Sequence, residues 1–189
     1  TIIPLFVSRL TDSAILIGLV PAMHAVGWYL PQLFLANRVS RQPRYKPMMM
    51  RMTIHERLPF LGLAIVAWLM PGLDKNLTLV IIFFLLLWQG LGGGFAANPW
   101  QNMIGKIIPD RLHGTFFGAQ SGVANVLMAG GAILTGIMLE KIAPPNDFAL
   151  IFLLAGMIMM LSMPALALVK EDSQPLTEAG RHQNGTEFR

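Results

Sequence analysis

Five stretches of this chain, 14–37, 58–73, 77–97, 115–139 and 148–169, contain no Asp, Glu, Lys or Arg. Four of them reach the roughly 20 residues that a helix needs to cross the hydrocarbon of a bilayer, and 58–73 approaches the lower limit of about 17. A backbone in lipid must satisfy its own hydrogen bonds, which an isolated helix does and an open strand cannot. Alternating segments of about ten residues, the pattern of a membrane barrel, do not occur. The sequence therefore predicts an all-α fold, a polytopic membrane helix bundle over 1–169 with five full spans. Stretch 58–73 crosses only if Glu56 and Arg57 sit at the interface. The apolar opening 1–8 is too short to cross and reads as the end of a truncated span, so a fragment of a longer protein is expected.

Composition agrees. Of 189 residues, 54% are hydrophobic and 13% charged, about half the charge of an ordinary soluble domain. The mean hydropathy is +0.56. A soluble domain would have to clothe its surface with polar groups. The net charge of +4 is carried between the apolar stretches, which points to membrane orientation rather than to nucleic acid. The absence of cysteine excludes a disulfide framework, a thiolate metal site and a cysteine nucleophile. No metal site and no cofactor is expected.

The connections set an orientation. Arg38, Arg41, Arg44, Lys46, Arg51 and Arg57 lie between the first and second stretches, and Lys106 and Arg111 between the third and fourth. Basic loops stay inside. Loops 38–57 and 98–114 and the polar tail 170–189 are thus expected on the cytoplasmic face of the cell membrane, with 9–13, 74–76 and 140–147 outside. The tail reads as a mobile linker.

Several motifs carry a resemblance. Leu35-Ala36-Asn37-Arg38-Val39-Ser40-Arg41 resembles the L-A-D-R-x-G-R loop of the major facilitator superfamily, with Asn37 in place of Asp and Ser40 in place of Gly. Gln89-Gly90-Leu91-Gly92-Gly93-Gly94 is similar to the end of that family's fourth-helix pattern R-x-x-Q-G-x-G-x-G, with Leu86 where the family has Arg. The segment from Ile108 through Pro109, Asp110, Arg111, Leu112 and His113 to Gly114 looks like the family's I-P-x-x-R-R-G loop, with His113 at the second Arg. The stretch around Gly118 and Gly122 partly resembles the fifth-helix signature. The matches fall in family order over essentially the whole chain. The resemblance implies the amino-terminal six-helix half of a major facilitator transporter, lacking most of helix one and completed by a carboxy-terminal six-helix half. It also implies alternating access, with Asn37, Arg38 and Arg41 as a cytoplasmic gating loop and a cavity lined by helices one, two, four and five.

The residues add their own reading. Gly90 with Gly94, and Gly118 with Gly122, repeat every four positions and leave side-chain-free faces for close helix packing. His24, Trp28 and Gln32 share a face of the first full span. With Trp88, Gln89, Gln120 and Asn125 they are the substrate-cavity candidates. His24 either touches substrate or hydrogen-bonds a neighbouring helix. No span holds a carboxylate or a nucleophile–base pair, so no enzyme is expected. Without charges inside the spans, a neutral, amphipathic or sugar-like solute is the expected cargo. The rival reading is a non-transporting membrane subunit or sensor with the same bundle. The expected partners are a small-molecule solute, the lipid bilayer and the carboxy-terminal half, with no nucleic acid.

Overall fold

The apolar stretches are helical, as a backbone in hydrocarbon requires. A computed structural model describes residues 2–40 and 42–172, except for the side chains of Ala36, Arg38 and Ser40. The elements are α1 (Ile2–Ser8), α2 (Ala14–Ser40), α3 (Lys46–Leu69), α4 (Lys75–Ile107), α5 (His113–Lys141) and α6 (Asn146–Leu168). Short 3-10 turns at Met70–Gly72 and Asp110–Leu112 close the α3–α4 and α4–α5 connections. No strand occurs among the described residues. Helices α2 to α6 are each long and apolar enough to cross a membrane, and the chain is an all-α, multi-pass membrane protein.

One boundary differs in a way that matters. Helix α3 starts at Lys46, not near 58, so Glu56 and Arg57 lie well inside it. The charges at positions 46, 51, 56 and 57 lower the local hydropathy and hide this half of the helix from an apolarity reading. Burial compensates: Met49, Thr53 and Arg57, four residues apart, all face the interior.

Helix α4 is the central element, packed on α2 along one side and on α3 along the other, with α6 beyond α3. Glycines set both distances. A Cβ on Gly90 would lie 2.9 Å from the His24 carbonyl oxygen, and one on Gly94 would lie 2.5 Å from that of Trp28. Gly27 returns the contact from α2, its own Cβ direction meeting the Gly90 backbone at 2.9 Å. Gly92 turns to the other side, where a Cβ would run into the backbone nitrogen of Glu56 on α3. Lipid supplies no hydrophobic drive for helices to associate, and such close contact is what replaces it.

At one end, Phe6 of α1 packs on Phe148 and Phe152 of α6, with ring centroids 5.0 and 5.3 Å apart. Arg9 pairs with the buried Asp147 at 2.7 Å and lies over the Phe148 ring. At the other end, the segment after α6 is fixed rather than mobile as far as Asp172. The Glu171 carboxylate accepts the backbone N–H groups of Tyr45 and Lys46 at 2.8 to 3.0 Å, capping α3, and meets Lys106 of α4 at 3.3 Å. Lys46 donates in return to the carbonyls of Ala167 and Val169. Residues 173–189 of the expected linker lie outside the described residues.

Helix α5 stands apart. Phe117 near its start meets Trp100 of α4 edge-on at 6.2 Å, and Leu139 near its end packs on the main core. None of its residues is buried. The close packing expected at Gly118 and Gly122 is not found, because nothing lies within 4 Å of either Cβ direction. The helix touches the bundle through its ends, and these glycines lie between the two contacts.

Two outcomes are expected. Gly94→Leu should destabilise the bundle by about 1–3 kcal/mol or more, because backbone rather than a side chain must yield. Gly122→Leu should stay within about 0.5 kcal/mol. Thermal unfolding in detergent, followed by tryptophan fluorescence, compares them, and equal losses would contradict the assigned contact. The second concerns Glu171. Burial works to raise its pKa, but the Tyr45 and Lys46 N–H groups and the Lys106 ammonium outweigh it and hold the carboxyl below its usual range. Its stabilisation is then complete above the unfolded-state value of about 4.3 and is lost as pH falls through the lowered folded value. Glu171→Gln should flatten the acid limb of a stability–pH profile, and an unchanged limb would remove the clamp from the account.

Candidate functional site

Between α2, α3, α4, the start of α5 and the end of α6 lies a cavity of about 420 Å³. Trp28 enters from α2, Glu56 and Arg57 from α3, Trp100 from α4 and Gln120 from α5. Its position follows from the glycine contacts. A Cβ on Gly93 would lie 2.5 Å from Cζ3 of Trp28 and 3.3 Å from Oε1 of Glu56. The indole and the carboxylate therefore close over one bare point of α4.

The neighbouring polar groups are bonded across the α2–α4 contact. His24 Nδ1 lies 2.8 Å from Gln89 Oε1. An amide oxygen only accepts, so with Gln89 in this orientation Nδ1 carries the proton. Gln32 donates to the Trp28 carbonyl at 2.8 Å, and Asn98 of α4 donates to the Gln32 carbonyl at 3.1 Å. Of the two roles open for His24, this geometry fills the interhelical one. Buried Gln89 is its partner.

Arg57 is different. The residue is only 8% exposed, and its Nε and Nη1 meet no acceptor among the described residues. Arg57 and Glu56 do not close on each other as an ion pair. A charge at membrane depth is expensive and by default functional, and these two face a cavity rather than lipid.

The sequence candidates therefore divide. Trp28 and Gln120 line the cavity. His24, Gln89 and Gln32 form the seam beside it. Trp88 points elsewhere, its ring 6.2 Å from both His55 and Phe84. Asn125 is exposed on the free part of α5. In the gating loop Asn37 is exposed, the Arg38 side chain is not described and Arg41 lies outside the described residues. Glu56 and Arg57 escaped the sequence reading because they were placed at an interface. The four-residue recurrence of Met49, Thr53 and Arg57 was the signal that could have found Arg57.

A second cavity, of about 490 Å³, lies between the start of α3 and the end of α6. Lys46 and Glu171 in its wall are already bonded to the backbone of the opposite segment. Among the described residues, no group of His, Asp and Glu stands close enough to hold a metal ion. Comparison with protein-family models, curated proteins and solved structures finds no match for this chain.

The seam makes a measurable prediction. Interhelical bonds in such bundles contribute about 0.6–2 kcal/mol. His24→Ala and Gln89→Ala should each cost about that much. The double variant should cost little more than either, because one bond is removed in all three. Additive losses in a thermal-unfolding cycle would show that the two residues act separately.

Proposed function

We propose that the chain moves a small solute across the cell membrane by alternating access, as one six-helix unit of a transporter of the major facilitator type. The observation that carries this reading is the cavity beside α4. It combines aromatic, amide and charged side chains at a depth where a helix bundle without solute traffic would place apolar ones. Its walls come from different helices, so a relative tilt of those helices opens or closes it. Across the glycine faces of α4, His24 bonds Gln89 and Asn98 bonds the Gln32 carbonyl, and such a tilt would exchange these bonds. The motif order from 35 to 122 supports the family assignment. The unit works in this reading with a second six-helix unit, with the α2–α3 and α4–α5 connections and the segment after α6 at the cytoplasmic side and the Arg38 loop biasing the equilibrium between the two states.

The chain contains no cysteine, so a single one reports cleanly. Ala97→Cys, in the cavity wall, should react with a membrane-impermeant thiol reagent applied from either side of the membrane. Adding Arg38→Ala should change the ratio of the two rates by about threefold or more, the effect of a shift near 0.7 kcal/mol. Labelling from one side only, at a rate indifferent to Arg38→Ala, would sink the transport reading and favour a non-transporting subunit.

A further inference from the structure

The cavity's two charges define what fits it, given the proposed role as a solute site. Glu56 and Arg57 are consecutive on α3, so their side chains diverge by about 100° around the helix. Both nonetheless border the same cavity. They present a negative and a positive group side by side, with no net charge between them.

Each end has its own chemistry. The guanidinium of Arg57 has two buried nitrogens, Nε and Nη1, with no acceptor among the described residues. Leaving such donors unmatched is costly, and a carboxylate is the acceptor that a guanidinium matches in both charge and geometry. At the other end the Glu56 carboxylate and the Trp28 ring meet over Gly93, and Trp100 stands in the same wall. An anion beside an aromatic face is the pairing that holds an ammonium, by charge and by cation–π attraction. A simple anion would face Glu56, and a simple cation would face Arg57. A molecule carrying both charges opposes neither.

We infer that this cavity takes a zwitterionic solute of amino-acid type, its carboxylate on Arg57 and its ammonium between Glu56 and Trp28. A volume near 420 Å³ lies within the usual range of small-molecule sites and leaves room for an apolar side chain among Met49, Ala96 and Leu166. The charged pair replaces the neutral, sugar-like cargo expected when the spans were read as charge-free.

The same chemistry, an ammonium near an oxyanion, is offered by a phosphatidylethanolamine headgroup, and the test separates the two sources. The chain is placed in nanodiscs of phosphatidylglycerol alone, and equilibrium binding is measured with three probes that share one apolar body. These are L-leucine, 4-methylpentanoate without the ammonium, and isoamylamine without the carboxylate. Leucine should bind roughly tenfold tighter than either, one charge-assisted contact being worth at least that. Arg57→Met should bring leucine down to the level of isoamylamine, which should itself bind no more weakly than before. Glu56→Gln should reduce leucine to the level of 4-methylpentanoate. Arg57→Lys keeps the charge but not the fork, and serves should Arg57→Met not fold. Its expected result is an intermediate affinity.

Leucine binding that vanishes when phosphatidylethanolamine is added to the discs, and is unchanged by the same amount of phosphatidylglycerol, would give the site to the lipid and overturn the solute assignment. Equal affinity for the three probes, tighter binding of a singly charged one, or no binding at all would overturn the inference too. Binding is read without transport. Leucine held tightly beside one-sided Ala97→Cys labelling would sink the transport reading alone, and two-sided labelling with indifferent probes would sink the zwitterion alone.

Discussion

Everything in this bundle is built on the approach of α2 to α4 across bare backbone. With hydrocarbon outside, helices gain nothing by hiding apolar side chains from one another, so contact must come from shape and from hydrogen bonds. Gly27, Gly90 and Gly94 supply the shape. The closeness they permit brings His24 within bonding distance of Gln89, and Asn98 within reach of the Gln32 carbonyl. The same closeness lays Trp28 over Gly93, from where it faces Glu56. A larger residue at Gly90 or Gly94 would act on the cavity through this seam as well as on stability.

How much of this was legible depended on the kind of physics involved. Helix number and rough extent follow from unbroken apolar length, a property local to the chain. The role of Gly90 and Gly94 was legible because a four-residue spacing reads directly as a helix face. Gly118 and Gly122 have the same spacing and no neighbour, since a bare face states that contact is possible but not that anything is there to make it. Arg57 was invisible for the opposite reason. A charge is read from sequence as belonging to water, and only the arrangement of other helices shows that its surroundings are a cavity. Glu171 likewise looked like part of a loose tail. Its partners, Tyr45, Lys46 and Lys106, lie far off in the chain, beyond any local reading.

The two ends of the bundle use charge differently from its middle. Arg9 with Asp147, and Lys106 with Glu171, are closed pairs between segments distant in sequence, and their work is to fix where those segments meet. Glu56 and Arg57 are adjacent and remain open. The division is the one expected of a protein that joins its helices at the rims and keeps chemistry for the interior.

The exchange of end groups between α3 and α6 has a mechanical side. Glu171 holds the first amides of α3, and Lys46 holds the last carbonyls of α6. Sliding either helix by one turn, about 5.4 Å, would strand both sets at once. The pair is thereby joined at that rim in a single register. The α2–α4 surface is held differently, at a distance set by its glycines and in a register kept by side chains, His24 on Gln89 and Asn98 on the Gln32 carbonyl.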